Sequence, residues 1–368
     1  MPTLSEKIKV AVNTPVERLN IIRLLPLCGH RCQRYSLTLL SFFLVVYCFW
    51  EFLRFGPDPA DWDVLLISGV AAFIVGLLLV QSIPSKLEKS LDRLVNRGAF
   101  EITAKKLDIF KRLLDTRVNI WARSVGLIAA LAMLLAFLVA FSGRFSVERI
   151  FLTIAEVAGA YIAGLWLGRM ACYGQLGWLV KRESIQMHIV PGHVDGTGGL
   201  KPVGDFYFFQ AMVVAIPAIF LAVWWLLIPL WPRYEHWREP YMGLLAVAIT
   251  IEVLAFLVPI WSFHRVMQEQ KKEHLKKADT LSRKINEIQA KLAQEHTADE
   301  QKALREQLSD MTQQYWAIEK MPTWPVDLKT RRRFGLNNFV LLLPLISNWV
   351  GGTDIWRDVA NVIRDLAP

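Results

Sequence analysis

Cysteine is scarce in this chain: four residues in 368, at positions 28, 32, 48 and 172. That excludes a disulfide-stapled scaffold. Cys28-Gly-His-Arg-Cys32 offers two thiols and an imidazole, but no second pair completes a four-ligand zinc site, so free thiols near the membrane are the expectation. Gly-x-Ser-x-Gly, His-Glu-x-x-His and Walker patterns are all missing. We therefore expect no enzyme and no cofactor. A voltage-sensing array of arginines and a carbonyl filter of the potassium-channel type are missing too, and no inverted repeat is evident. The first 36 residues hold no continuous apolar core followed by a small-residue cleavage site, so the N-terminus is expected to be retained.

The most informative scarcity is local. Charge nearly vanishes from six apolar stretches near residues 37–53, 64–83, 121–142, 150–180, 206–231 and 241–263. Each is long enough to cross roughly 30 Å of hydrocarbon at about 1.5 Å per residue. Lys and Arg are distributed unevenly between them. Lys7, Lys9, Arg18, Arg23, Arg31 and Arg34 precede the first stretch, and nine basic residues lie between Lys86 and Arg117. Arg265, Lys271, Lys272, Lys276, Lys277 and Arg331-Arg332-Arg333 follow the sixth. The connections Phe55–Asp63, Gly143–Arg149 and Pro232–Pro240 are short and carry at most two basic residues each, the first of them none. This bias predicts that both termini and both long connections face the cytoplasm. Tryptophan agrees, with Trp50, Trp62, Trp231 and Trp237 at the outer boundary and Trp121, Trp178 and Trp261 at the inner one.

Net charge of +9 then reads as a topology signal that also attracts anionic membrane lipids, and nucleic acid is not an expected partner. Residues 1–36 form a cytoplasmic segment in which Thr14-Pro15-Val16-Glu17 starts an interfacial amphipathic helix. Residues 37–264 make the six-span domain. Pro84–Asn119 reads as two amphipathic helices broken at Arg97-Gly98, the first carrying Leu87, Leu91 and Leu94, the second Leu107, Phe110, Leu113 and Leu114.

Residues 265–320 predict a cytoplasmic helical hairpin of coiled-coil type. Ala278, Leu281, Ile285, Ile288 and Leu292 are spaced as a seam that Leu304, Leu308, Met311, Tyr315 and Ile318 resume after a capping box at Thr297-Ala-Asp-Glu300. The two seams can pack on each other, or Leu281, Ile285 and Ile288 can pair with a second subunit or a cytoplasmic partner. Residues 321–368 comprise the linker Met321-Pro-Thr-Trp-Pro325, an apolar segment Phe339–Val350 too short to span, either interfacial or re-entrant, and a terminal helix capped by Thr353 or Asp354.

Two regions carry chemistry. His188–Asp205 holds five glycines and two prolines, so it is built for turns, and His193-x-Asp195 with His188 are candidate ligands for a metal or small ligand, the identity of any metal being open. The competing reading is a tight loop whose polar groups cap the neighbouring spans. The string His193-x-Asp195-x-x-Gly198-Gly199-Leu200 is similar to loops in multi-pass bacterial membrane proteins, over about a dozen residues, and that resemblance implies no activity. Inside the membrane, Glu252 lies near the centre of the sixth span, Glu156 in the outer third of the fourth, and Arg169 towards its inner end. Such residues are costly and form either a polar pathway or an interhelical pair. Glu156, Ala160, Gly164, Gly168 and Cys172 follow one another at i+4, which predicts that Glu156 shares a face with a small-residue packing seam.

The sequence thus predicts an all-α membrane protein, a six-transmembrane-helix bundle with a cytoplasmic hairpin, in a bacterial inner membrane. Its expected function is non-enzymatic: a signalling, effector or scaffold subunit coupling a cytoplasmic event or partner to the bilayer. The alternative is an ion channel or proton-coupled transporter using the intramembrane carboxylates. A homo-oligomer fits both.

Overall fold

The computed structural model describes residues 30–57, 61–140, 147–183, 185–294 and 297–349. About 85% of it is helical, and strand is confined to one two-residue pair. The predicted interfacial helix at Thr14, the Cys28/Cys32 pair and the terminal helix after Thr353 lie outside the described residues. Among the described residues four helical stretches are long and apolar enough to cross a membrane: Val64–Asn96, Ala104–Val139, Lys201–Leu227 and Pro232–Leu292. They expose large apolar side chains such as Ile128, Val139, Val247 and Val258, a surface that suits lipid far better than water.

The chain divides into two compact units. The first comprises residues up to Val70 and Arg112–Arg169. It holds α1 (His30–Phe55), the start of α2 (Val64–Gln81), most of α4 (Ala104–Ala140) and α5 (Val147–Gly174). The buried Glu51 carboxylate accepts the Asp63 N–H at 3.0 Å, and Trp62 Nε1 donates to the Gly56 carbonyl at 3.1 Å. These two bonds close the short connection before α2. On α5, Gly164 and Gly168 are buried where the helix meets the backbone of α4 at Trp121, Ala122 and Gly126. The predicted small-residue seam is therefore a site of direct backbone approach. The expected fourth span is not one helix: α5 ends at Gly174, and a separate short helix, α6 (Leu176–Arg182), follows the turn at Gln175.

The second unit comprises Ala71–Lys111 and the chain from Met170 onward. Its α3 (Ile83–Asn96) buries Ile83, Leu87, Leu91 and Leu94, the predicted stripe, and packs on α7 (Lys201–Leu227). The expected break follows at once. Gly98 takes φ +69° while Gly98 N–H and Ala99 N–H bond the carbonyls of Val95 and Leu94, a Schellman closure that a residue with Cβ enters only under strain. Phe100–Glu101 (β1) then pairs antiparallel with Gln186–Met187 (β2), Phe100 opposite Met187.

α7 also packs extensively on α8, which runs without interruption from Arg238 to Leu292 and so joins the sixth apolar stretch to the first hairpin arm. After the turn, α9 (Ala298–Glu319) returns along α8. Ile288 is buried and Leu281 and Ile285 are half-buried on an arm whose packing partner is α9. The capping box forms as expected, Thr297 N–H and Oγ1 both reaching Glu300 Oε2, at 3.1 and 2.8 Å. Thr297→Ala is expected to cost about 1 kcal/mol locally, read as amide exchange roughly fivefold faster in the first turn of α9 with no change in the membrane helices. Finally α10 (Leu328–Trp349) packs on both α7 and α8. Within the described residues, Phe339–Trp349 is thus the second half of a 22-residue helix that continues through Pro344, not an isolated apolar segment, and Val350 lies outside them.

Candidate functional site

Three side chains within about two turns of α8, His264, Gln270 and Lys271, organise one end of the second unit. Gln270 lies beside the loop that follows β2. Its Oε1 accepts the Ile189 N–H at 3.1 Å and its Nε2 donates to the Met187 carbonyl, so one amide side chain replaces a missing strand neighbour. Lys271 Nζ donates to the carbonyls of Glu319 and Met321, at 3.1 and 2.9 Å, closing the C-terminus of α9 with a cation, as the helix dipole favours. His264 stacks on Trp324, ring centroids 4.0 Å apart, and its Nδ1 lies 2.5 Å from the Thr323 carbonyl oxygen. Arg331 covers Trp324 from α10 at 5.5 Å and donates from Nε to the Val326 carbonyl. The linker 321–327 is thereby clamped to α8 and to α10.

Asp327 is the N-cap of α10, its Oδ1 accepting the Thr330 N–H at 2.9 Å. Its Oδ2 accepts from Lys201 Nζ at 2.6 Å, tying the start of α10 to the start of α7. Burial alone would raise the Asp327 carboxyl, but the Lys201 ammonium and the Thr330 bonds outweigh it and hold the group at about 2. The folded value lies below the ordinary 3.8, so this stabilisation is complete above 3.8 and is lost as the pH falls through about 2. Thermal denaturation of the detergent-solubilised protein should therefore separate wild type from Asp327→Asn near neutrality, and the two curves should converge as the pH falls towards 2.

The glycine-rich loop is self-contained. Asp195, with 7% of its side chain exposed, accepts from the N–H groups of Thr197 and Gly199 at 2.9 and 3.1 Å, lies 3.0 Å from Arg97 and 2.8 Å from His193 Nδ1. Burial pushes its carboxyl up, and the two backbone bonds followed by His193 more than reverse this, so it titrates below the ordinary range. Gly198 sits at φ +67° against Ile189, where a Cβ would collide with that side chain. His188 points elsewhere and pairs with Glu101 at 2.7 Å. The three candidate ligands are therefore not assembled around one point, and no cluster of His, Cys, Asp or Glu among the described residues has metal-binding geometry. The physical reason is that the β1–β2 ladder carries His188 to Glu101 while the turn folds His193 back on Asp195.

The three polar residues expected inside the membrane differ in environment. Glu252 is fully buried on α8, and its Oε1 lies 3.4 Å from the Nδ2 of Asn338, itself buried on α10. Arg169 is buried on α5, whereas Glu156 is exposed on the same helix instead of sharing the packed seam. Thirteen residues of helix put Glu156 and Arg169 about 20 Å apart along the axis, too far for an ion pair. Sequence reading missed Asn338, Gln270, the His264–Trp324 stack and the Lys201–Asp327 pair. A signal existed for Asn338, an amide in an otherwise apolar run. No family model, curated protein or solved structure matches this chain.

Proposed function

We propose that this chain is a non-enzymatic six-span protein of a bacterial inner membrane, with termini and hairpin in the cytoplasm, that couples a cytoplasmic event to the bilayer. The supporting observation is mechanical. One arm of the hairpin is the uninterrupted extension of α8, and the other returns through a linker clamped by Lys271, His264 and Arg331 to α10. Both ends of the hairpin are thus fixed to elements packed on α7, so force on α9 reaches the membrane helices at two points. The packing of α9 along this arm and the burial of Ile288 favour a seam of Leu281, Ile285 and Ile288 that is internal, and a cytoplasmic partner then meets the outward charged face of the hairpin, which includes Lys302, Arg305 and Glu306. The complete burial of Glu252 weighs against the transport alternative.

A photo-crosslinking residue at Arg305, in the full chain in native membranes, tests this. Specific protein adducts that disappear when Lys302 and Glu306 are charge-reversed support coupling. Absence of adducts, together with ion flux in vesicles that is abolished by Glu252→Gln, would replace it with transport.

A further inference from the structure

We infer that the groove between α7 and α10 is a binding site for one acyl chain of an anionic phospholipid, whose phosphate is held by Arg333 and Lys329. The groove has a volume of about 340 Å³ and is walled by Ala215, Ile219 and Val223 of α7 and by Val340, Leu343 and Pro344 of α10. Ile219, Val223, Val340 and Leu343 are each more than two-fifths exposed, so the groove is open at the surface and not a sealed core void. It extends on α7 from Met212 to Leu226, fourteen residues or about 21 Å, enough to hold a chain that crosses one leaflet of about 15 Å.

The inner end of the groove supplies the charge. Asn337 lines it beside Met212, to whose sulfur it donates at 2.9 Å. Arg333 stands one helical turn before Asn337 on the same side of α10, and Lys329 one turn before that. Both are exposed, and neither makes an ion pair among the described residues, because Lys201 already engages Asp327. The carboxylate at this end of α7, Asp205, interacts with Lys201, Arg93 and Arg97. Two cations without acidic partners at the mouth of an apolar groove complement one phosphate ester and one hydrocarbon chain. A zwitterionic lipid fits the apolar part equally well but brings its own cation to Arg333.

This inference rests on the membrane reading above, so its test carries a separate control. Full-length protein is released from nanodiscs of mixed phosphatidylglycerol and phosphatidylcholine with identical chains, and retained lipid is counted by native mass spectrometry. We expect wild type to retain phosphatidylglycerol over phosphatidylcholine by roughly tenfold or more. Lys329→Gln with Arg333→Gln should bring the ratio near one. Ile219→Trp and Val340→Trp, which fill the groove from opposite walls, should each remove the retained lipid, whatever its headgroup, from protein that elutes as wild type does on size exclusion. A wild-type ratio near one overturns the site. So does a preference that the charge variant abolishes and both tryptophan variants leave intact, which would be headgroup attraction to a basic surface. Alkaline extraction of the same membranes separates the two levels: a chain released into the supernatant defeats the membrane reading itself, while an integral chain without lipid preference defeats only the groove.

Discussion

Gly168→Val is expected to disrupt the α4–α5 pairing and to lower the stability of the solubilised protein by about 3 kcal/mol or more, at the upper end of overpacking costs. A Cβ at Gly168 would stand 2.5 Å from the Trp121 carbonyl oxygen and 2.8 Å from the Ala122 Cα. Both obstacles are backbone, so no rotamer change relieves the clash, and the helices must move apart. Four residues earlier a Cβ at Gly164 would meet the Gly126 Cα at 2.7 Å, so separation at Gly168 also loosens this second close approach. In lipid that loss is severe, because helices there are held by close van der Waals packing without a hydrophobic force of their own. Gly159 provides the internal control. Nothing lies within 4 Å of its would-be Cβ, so Gly159→Ala should be neutral or stabilising by roughly 0.5–1 kcal/mol through backbone entropy. Thermal denaturation in one detergent checks the pair. Equal midpoints for Gly168→Val and Gly159→Ala would mean that the α4–α5 contact is not close.

The same seam shows where sequence reading succeeds and where it stops. Gly164 and Gly168 were recognisable because small residues at i+4 permit backbone approach. Glu156 was wrongly assigned to their face because an i+4 stripe drifts. At about 100° per residue, twelve residues rotate Glu156 by about 120° from Gly168, enough to carry it from the packed side to the exposed one. Elements specified by adjacent residues were legible: the leucine stripe of α3, its stop at Gly98 and the Thr297–Glu300 box. The length of α10 was not, since Phe339–Val350 read alone is too short to span, and only the structure joins it to the arginine-rich turns before it. Nor were the side chains that bind distant segments. Gln270 to Met187 and Lys201 to Asp327 depend on the path of the linker and the loop, which no local periodicity encodes.

Glu252 and Asn338 yield the second large effect, and a double-mutant cycle separates its possible causes. The pair lies between α8 and α10, with Glu252 fully buried and Asn338 8% exposed. Asn338 Nδ2 is shared between Glu252 and the Phe334 carbonyl, while Glu252 Oε2 and Asn338 Oδ1 have no hydrogen-bond partner among the described residues. Asn338→Leu strands a buried carboxyl group and should cost about 1–3 kcal/mol. Glu252→Lys places an ammonium against the Phe256–Phe334 stack and should cost about 3 kcal/mol or more. Glu252→Gln keeps the shape and one acceptor, and it should stay within about 1 kcal/mol of wild type. Changing both residues to leucine removes donor and acceptor together, so stability should recover most of what Asn338→Leu alone loses. That recovery is the signature of a pair whose role is to dock α10 on α8. A double-leucine protein that is as stable as wild type but has lost a flux possessed by wild type would instead make Glu252 a conducting group. The cycle therefore assigns the buried carboxyl by two readouts, stability for the docking role and flux for the transport role, which respond to the same substitutions in different ways.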